Sequence, residues 1–176
     1  EKRLAFNGWG GFSGNGYAMD LTPGQPTPAA WCNILAAPRF GCLVSERGGL
    51  FLWADNSRMN RITPWSGDGL REGFPLELRL EDRQSARYTR LLPATPPVRA
   101  EHGQGYTRFQ GGGEGLAWSL TLFVEPDGSC LCAHMSLDNR ENRPRSLTVR
   151  AKCQFLMGEQ ARDKRFTRIW GHGDMA

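Results

Sequence analysis

The chain has 176 residues, of which 39% are apolar and 23% charged, with 22 glycines and 11 prolines. This composition excludes a disordered chain and predicts one loop-rich globular domain that can bury a sizeable core. No apolar run is long enough to span a membrane, and the initial Glu1-Lys2-Arg3 is unlike a secretory signal.

The net charge of +4 is concentrated near the end of the chain, because residues 139–170 hold nine Lys or Arg and only three Asp or Glu. A nucleic-acid-binding surface would combine clustered basic side chains with interleaved aromatic ones. Here most basic residues occupy alternate strand positions or a turn, which is typical of a solvated face. We therefore expect no nucleic-acid partner.

Five cysteines are an odd number without the spacing of a disulfide scaffold, which favours a reducing, cytoplasmic compartment. They are Cys32, Cys42, Cys130, Cys132 and Cys153. We expect most of them to be buried free thiols. Cys130, Cys132 and His134 share one side of a predicted strand, but ligands along a strand diverge and a structural zinc site needs a fourth. No metal is expected.

The first part of the chain is typical of short strands joined by shaped loops. Glycine occupies five of the ten positions 7–16, so the backbone there must turn or approach another segment closely. A first strand is predicted over residues 17–21. Residues 40–45 and 50–54 flank a turn with two glycines, which predicts a β-hairpin.

The middle of the chain contains one clear strand. Leu76, Leu78 and Leu80 alternate with charged residues, which predicts one buried and one solvated face. Residues 82–97 show no such alternation and include three prolines, so they are predicted to be irregular.

Three more alternating segments follow, over residues 116–124, 131–137 and 147–155. Short turn sequences separate them, which predicts an antiparallel meander. Because an apolar sheet face needs a second layer to cover it, the pattern predicts an all-β sandwich or open barrel. The alternation ends after Gly158, and residues 159–168 are predicted to be a short helix or a loose strand.

Several sequence blocks resemble, in the same order, the opening of one known domain. They are Asn7-Gly-Trp-Gly-Gly-Phe12, Pro23-Gly-Gln25, Thr27-Pro-Ala-Ala-Trp31, Pro38-Arg-Phe-Gly41, Val44-Ser-Glu46, Asn56-Ser-Arg58, Thr63-Pro-Trp65 and His102-Gly-Gln-Gly-Tyr-Thr-Arg108. The domain is the N-terminal β-sandwich of inverting glycoside phosphorylases, a family that includes cellobiose and chitobiose phosphorylases. The most similar variant is the phosphorylase-like region of bacterial cyclic β-1,2-glucan synthases. The resemblance covers about residues 4–157.

The resemblance implies an antiparallel two-sheet sandwich of the galactose-mutarotase type, a supersandwich, that continues beyond the C-terminal side of this chain. It implies a sandwich domain over residues 1–157, with residues 158–176 as a basic tail or the start of the remainder. A sheet face or edge left open would be covered by self-association, so a homodimer is expected. The parent protein would be cytoplasmic or attached to the bacterial inner membrane.

The resemblance also implies what the parent enzyme does. It would cleave or rebuild β-glucosidic links with inversion, and inorganic phosphate would serve as co-substrate. The general acid, an aspartate, and the phosphate-binding groups lie in the family's helical-barrel catalytic domain, outside this chain. This fragment is therefore expected to be inactive and to need no cofactor.

The residues themselves show no catalytic constellation: no nucleophile elbow, phosphate loop or metal-binding helix motif occurs, and no two carboxylates can be assigned to one glycosidic bond. Glu101 and His102 could form an acid–base pair in a glycine-rich loop. The alternative is that Gly103 and Gly105 shape a turn while His102 binds backbone. The resemblance favours this alternative, or a place near the sugar cleft.

Aromatic and hydrogen-bonding side chains in loops are candidates for a sugar cleft, because indole faces stack on sugar rings. Of the six tryptophans, Trp118 lies on an apolar strand face and is expected in the core. The cleft candidates are Trp31, Asn33, Asn56, Arg58, Trp65, His102, Gln104, Tyr106 and Arg108. The alternative is that Trp31 and Trp65 only fix loops.

Three functions are therefore open for this domain. The first is a non-catalytic sandwich that braces the helical barrel, helps to form a dimer and contributes loops to a cleft for β-glucan oligosaccharides. The second is a stand-alone carbohydrate-binding module. The third is a purely structural assembly domain.

Overall fold

The computed structural model describes residues 3–65 and 73–166, which form twelve strands and one 3₁₀ helix. The strands are β1 (Gly10–Ser13), β2 (Gly16–Leu21), β3 (Cys32–Ala37), β4 (Phe40–Ser45), β5 (Leu50–Ala54), β6 (Leu76–Asp82), β7 (Arg87–Leu92), β8 (Val98–Gly103), β9 (Tyr106–Gly113), β10 (Leu116–Val124), β11 (Leu131–Asn139) and β12 (Leu147–Cys153). The 3₁₀ helix is Ala161–Phe166. Within these ranges no helix has the length and apolar character needed to cross a membrane.

All strand pairs are antiparallel, as expected where short turns join neighbours. The largest sheet has six strands in the order β1-β2-β8-β9-β10-β11. Two smaller sheets have the orders β12-β6-β7 and β3-β4-β5. The predicted all-β antiparallel fold is confirmed, with the layer opposite the large sheet divided into two three-stranded sheets.

One hydrophobic core joins the three sheets. Along β10, buried and half-buried residues alternate at all nine positions, so one face of the strand lies inside. The large sheet contributes, among others, Met19, Val98, Ala100, Phe109, Trp118, Leu120 and Leu122. The smaller sheets contribute Leu35, Cys42, Val44, Leu50, Leu78, Leu80 and Leu92. Removing this apolar surface from water stabilises the fold by about 25 cal/mol per Å².

Several predicted strands are found where the sequence places them. The hairpin over residues 40–54 is present with the predicted limits, and its turn contains Gly48 at a φ of +83°. The strand predicted over residues 17–21 is β2 and begins one residue earlier, at Gly16, but it is not the first, because Gly10–Ser13 form β1, which was not predicted. The strand that starts at Leu76 extends to Asp82. Trp118 is only 6% exposed, as expected for a core residue.

The prediction that residues 82–97 are irregular is wrong, because Arg87–Leu92 form β7. Its first three residues are exposed and the last two, Leu91 and Leu92, are both buried. A register shift at Leu78/Arg79 of β6 lets two consecutive leucines face the core. This departure from alternation removed the pattern on which the sequence prediction depended.

The predicted three-strand meander is also wrong in its last strand. β10 pairs with β11, but β12 pairs with β6 in another sheet. The connection between β11 and β12 crosses from the large sheet to the β12-β6-β7 sheet. Arg145, in this connection, binds residues of both layers. The Arg145 guanidinium binds the Asp82 carboxylate at 2.7 Å and the Glu114 carbonyl oxygen at 2.9 Å.

β11 and β12 are the edge strands at which the sandwich is open. Both have an apolar row on their inner faces, but Leu137 is 38% exposed and Val149 is 48% exposed. A partly uncovered apolar face was expected from the sequence, and the structure places it on these two strands. What covers it remains a prediction.

The cysteines differ from expectation, because among the five only Cys42 is buried. Cys32 begins β3 and Cys153 ends β12, so both lie where a strand leaves the core. In the predicted tail, the Asp163 carboxylate accepts hydrogen bonds from the backbone N–H groups of Glu159 and Gln160, at 2.9 and 2.7 Å, beside the 3₁₀ helix. Trp170 lies outside the described residues, and the domain limits stay a prediction.

Candidate functional site

The turn between β8 and β9, residues 103–106, is the centre of the candidate site. Gly105 adopts a φ of +79°, which favours glycine, and Gln104 is exposed at the tip. A Cβ on Gly103 would lie 2.2 Å from the Tyr106 ring, so glycine lets this ring lie directly against the strand. The glycines therefore shape the turn, as the structural alternative proposed.

Asn33 of β3 holds this turn from the inner side of the sheet. Its side-chain Nδ2 lies 2.9 Å from the carbonyl oxygens of both Gly103 and Tyr106 and 3.2 Å from the Thr107 hydroxyl. The two carbonyls belong to opposite ends of the turn, so one amide group fixes both ends. Asn33 is a positioning residue for the turn in this arrangement.

His102 continues the same chain of hydrogen bonds. Its Nε2 lies 2.9 Å from the Trp31 carbonyl oxygen, which can only accept, so Nε2 carries the proton. Its Nδ1 then accepts from the Thr107 hydroxyl at 3.0 Å. Burial lowers the pKa of His102, and the hydrogen bond to Trp31 opposes this shift. His102 is therefore a neutral imidazole bound to backbone at pH 7.

Glu101 does not form an acid–base pair with His102. Successive strand residues point to opposite faces of a sheet. His102 is turned towards Thr107 and the core, whereas Glu101 accepts a hydrogen bond from the Tyr106 hydroxyl on the outer face. That hydrogen bond raises the pKa of Tyr106. The guanidinium of Arg108 lies 5.2 Å from the Tyr106 ring centre and completes the outer group.

A buried carboxylate that was not predicted from the sequence fixes the loop beside the turn. Glu46 is completely buried, and its Oε2 accepts a hydrogen bond from the Trp31 backbone N–H at 2.8 Å. Its Oε1 accepts from the Thr27 hydroxyl. Glu46 belongs to a motif that carries the family resemblance, but nothing in the local pattern indicates that a carboxylate is buried there.

The Trp31 side chain packs among aromatic residues of the same region. Its ring lies edge-to-face with Trp9 at 6.1 Å and with Tyr17 at 6.0 Å. Trp9 is itself held by a hydrogen bond from its Nε1 to the Pro26 carbonyl oxygen at 3.1 Å. These contacts pin the loop before β3, which supports the loop-fixing interpretation of Trp31.

Asn56, Arg58 and Trp65 belong to a second group, on the segment that follows β5. The Asn56 Oδ1 accepts hydrogen bonds from the backbone N–H groups of Arg58 and Met59, both at 2.9 Å, which closes a tight turn. Arg58 is exposed and lies 3.9 Å from a Glu159 carboxylate oxygen. Trp65 stacks on Phe51 at 5.2 Å.

The nine predicted candidates thus divide into two groups. The structure brings together Trp31, Asn33, His102, Gln104, Tyr106 and Arg108, which we call the hairpin-tip cluster. Asn56, Arg58 and Trp65 lie apart from this cluster on the segment after β5, where Asn56 and Arg58 share a turn and Trp65 stacks on Phe51. None of these placements tests whether sugar binds, so that role stays a prediction.

The thiols near the start of β11 lie close together. The Sγ atoms of Cys130 and Cys132 are 3.8 Å apart, and Cys130 Sγ lies 3.5 Å from a Glu125 carboxylate oxygen. The neighbouring Cys132 thiol, followed by Glu125, raises the pKa of Cys130 to about 11. Across residues 3–65 and 73–166, no three or more His, Cys, Asp or Glu side chains are arranged to hold a metal ion.

Comparison with known proteins identifies the domain. The family profile described as "Glycosyl hydrolase 94, supersandwich domain" matches residues 15–169. The chain belongs to this family. The supersandwich assignment agrees with the open, antiparallel arrangement of sheets and with the resemblance found in the sequence.

Two relatives of this supersandwich domain are larger proteins. The cyclic β-(1,2)-glucan synthase NdvB of Rhizobium meliloti (strain 1021) is 31% identical over 164 residues, which cover 87% of this chain and 6% of NdvB. The N,N'-diacetylchitobiose phosphorylase of Vibrio furnissii is 22% identical over 143 residues, which cover 77% of this chain and 18% of the enzyme. The supersandwich domain therefore spans less than a fifth of either relative.

Proposed function

We propose that this supersandwich domain is a non-catalytic part of a β-glucan-processing enzyme of the phosphorylase or cyclic glucan synthase kind. The observation that carries the proposal is its 31% identity to a small part of a cyclic β-(1,2)-glucan synthase. The parent enzyme would act in the cytoplasm or at the inner membrane. Its catalytic aspartate and its inorganic phosphate site would lie in a helical-barrel domain of the same polypeptide.

The hairpin-tip cluster is the part of the domain that we assign to the substrate cleft. Gln104 is exposed at the tip, while Asn33 and His102 hold the turn from the inner side of the sheet. A turn fixed by several hydrogen bonds presents its side chains with little conformational freedom, which favours precise contact with a ligand. Gln104 would bind sugar hydroxyls directly, and Asn33 and His102 would position it.

The exposed apolar rows of β11 and β12 are assigned to assembly. Leu137 and Val149 lie on inner sheet faces that the described residues leave partly uncovered. Burial of such surface against another chain or domain is favourable, and edge strands readily accept further strands. We propose that this side supports dimer formation and bracing of the helical barrel.

Reconstitution tests the proposal. The domain alone, incubated with β-1,2-glucan and inorganic phosphate, should release no glucose 1-phosphate. Together with a separately expressed helical barrel of its parent it should restore release. In that mixture Gln104→Ala should raise KM with little change in kcat, whereas Gln84→Ala, at another exposed glutamine in the β6–β7 turn, should change neither. Turnover by the domain alone, or full activity of the barrel without it, would contradict the proposal.

A stand-alone carbohydrate-binding module makes a different prediction. The isolated domain would bind gluco-oligosaccharides with its full affinity and would not alter the activity of any barrel. Trp31→Ala is the variant suggested by the sequence, but the packing of Trp31 against Trp9 and Tyr17 makes a loss of fold the expected result. Gln104→Ala is therefore the cleaner variant for this titration. If no sugar binds while the separately expressed barrel does, a purely structural role is favoured.

A further inference from the structure

A cleft lies between β7 and the end of the β9–β10 hairpin, about 20 Å along β9 from the hairpin-tip cluster at the strand rise of about 3.3 Å per residue. Its volume is about 520 Å³, within the range of roughly 300–1,000 Å³ that is usual for small-molecule sites. A neighbouring chamber of about 400 Å³ shares Tyr88, Thr89, Gly112 and Trp118 with it. The two spaces together follow the edge of β7.

One glycine beside this cleft is not explained by the fold. β9 ends in three consecutive glycines. A Cβ on Gly111 would lie 2.6 Å from the Trp118 ring, and one on Gly112 would lie 2.8 Å from the Leu116 carbonyl oxygen. Gly113 has no atom within 4 Å of such a Cβ, and its φ is not in the left-handed region. A glycine in a strand marks a bulge, a tight bend, or the close approach of a ligand or another backbone. The β9–β10 register is regular at Gly113 and no described backbone lies within 4 Å of a Cβ there, which leaves the approach of a ligand.

The cleft has an apolar floor and a polar rim. Leu80, Leu116 and Trp118, from both layers of the sandwich, form the floor. The rim includes the exposed Thr89, whose side chain is on the inner face because it pairs with the buried Leu80. Within the described residues β7 is an edge strand, so half of its backbone N–H and C=O groups have no partner strand and lie along the open edge of the sheet that borders the cleft. This arrangement suits a ligand with an apolar face and a belt of hydroxyl groups.

The charges of the cleft cancel within the protein. Asp82 pairs with Arg145 at 2.7 Å, and both side chains are more than nine-tenths buried. Arg87 pairs with Glu114 across the rim. Two acidic and two basic groups leave no net charge to attract an ion, so the cleft favours a neutral ligand.

Arg87 also disfavours a peptide strand as the occupant. It pairs with the buried Asp82 in the β6–β7 register, which places its side chain on the inner side of an edge strand. An inward-pointing charge on an edge strand is a common device against the addition of another strand. A small hydroxylated molecule does not need the continuous backbone pairing that this charge opposes.

We propose that this cleft is a second saccharide site, which binds a segment of neutral β-glucan away from the hairpin-tip cluster. The choice of glucan rests on the proposed function, whereas the place rests on the cleft and on Gly113. A sugar ring enters the cleft beside the narrow exposed edges of Trp118 and Leu116, and its hydroxyl groups bind Thr89 and the backbone groups at the open edge of β7. The site would hold a growing or partly degraded chain on the domain.

Calorimetric titration of the 176-residue chain with β-1,2- and β-1,4-linked gluco-oligosaccharides tests the proposal. Gly113→Leu fills the cleft without a clash at Cβ and should weaken binding at least about tenfold. Thr89→Val removes one hydroxyl at constant shape and should weaken binding about three- to tenfold. Asp127→Ala, in the exposed β10–β11 turn, is the control and should stay within about twofold, whereas Gln104→Ala reports separately on the hairpin tip. Melting temperatures of the four variants verify the fold, and amide resonances of residues 87–90 should shift on titration.

The outcomes separate this site from the proposed function. Affinity that is unchanged in both Gly113→Leu and Thr89→Val would overturn the second site. The same conclusion would follow if neither the β-1,2- nor the β-1,4-linked oligosaccharide bound the chain. Affinity lost only in Gln104→Ala would overturn the second site but support a sugar-binding hairpin tip. A peptide that pairs with β7 while glucan does not compete would also overturn it. The reconstitution experiment above does not depend on any of these results.

Discussion

β10 and β11 are neighbouring strands with similar alternating sequences, but only β10 is covered. Leu120 and Leu122 of β10 are 1% and 0% exposed, whereas Leu137 of β11 is 38% exposed. β10 lies inside the large sheet and faces β3 and β4 across the core, while β11 is the edge strand. Alternation therefore shows which face of a strand is apolar, and the topology decides whether that face is buried.

The largest expected effect contrasts these two strands directly. Leu120→Ala should lower the free energy of unfolding by about 2–5 kcal/mol, because it leaves a cavity in a packed core. Leu137→Ala removes the same atoms from a partly exposed site and should cost less than about 1 kcal/mol. Urea unfolding followed by tryptophan fluorescence measures both. Equal losses would show that β11 is as well covered as β10.

The turn at the hairpin tip is held by hydrogen bonds rather than by apolar packing, and Asn33→Ala tests how much these hydrogen bonds stabilise it. The substitution leaves the carbonyl groups of Gly103 and Tyr106 without their shared donor, and we expect a loss of about 1–3 kcal/mol. Amide exchange of residues 103–107 should accelerate more than that of β10. Asn142→Ala, in the exposed connection between β11 and β12, is the control. Uniform acceleration along the chain would contradict a local role for Asn33.

The pH dependence of stability tests the same cluster through His102. Burial holds the pKa of His102 below its unfolded value of 6.5, so the unfolded chain binds a proton more readily than the folded one. The contribution of His102 to the free energy of unfolding should be fully present above about pH 6.5 and should decrease as the pH falls below that value. His102→Gln should flatten this part of the profile in thermal melts. An unchanged slope in the variant would assign the effect to another group.

The smallest expected effect on stability belongs to the open side. Val149→Lys places a charge on a half-exposed position of β12 and should change the free energy of unfolding by less than about 0.5 kcal/mol. It should nevertheless weaken self-association, because a charged side chain at an apolar interface opposes burial. Sedimentation velocity at increasing concentration measures this. Thr148→Lys, on the opposite face, is the control, and equal association of wild type and Val149→Lys would exclude this face from the proposed dimer interface.

Local patterns predicted those elements whose structure is decided locally. The hairpin at residues 40–54 and the buried row of β10 follow from turn glycines and from alternation. β7 was missed because its consecutive Leu91 and Leu92 both face the core through a register shift. The partner of β12 was missed because it depends on contacts of Arg145 with Asp82 and Glu114, 63 and 31 residues away.

The candidate site was predicted in part for the same reason. The resemblance indicated the motifs that contain Trp31, His102 and Tyr106, and the structure places them together. Asn33 joins them over a separation of 70 residues, which no local pattern can show. The burial of Glu46 could not be predicted either, because its cause is the loop that folds over it. The type of sandwich came from the resemblance, since alternation alone left a barrel open.

The ion pair between Arg145 and Asp82 affects how the molecule responds to acid. Hydrogen bonding to Arg145 lowers the pKa of Asp82 to about 2. The contribution of this ion pair to stability is therefore fully present at any pH above the ordinary pKa of an aspartate, and it is lost as the pH falls through the lowered pKa of Asp82. The imidazole at the opposite end of the large sheet gains its charge first. Acidification should therefore loosen the molecule in two stages, starting at the turn between β8 and β9 and reaching the β6–β7 corner last.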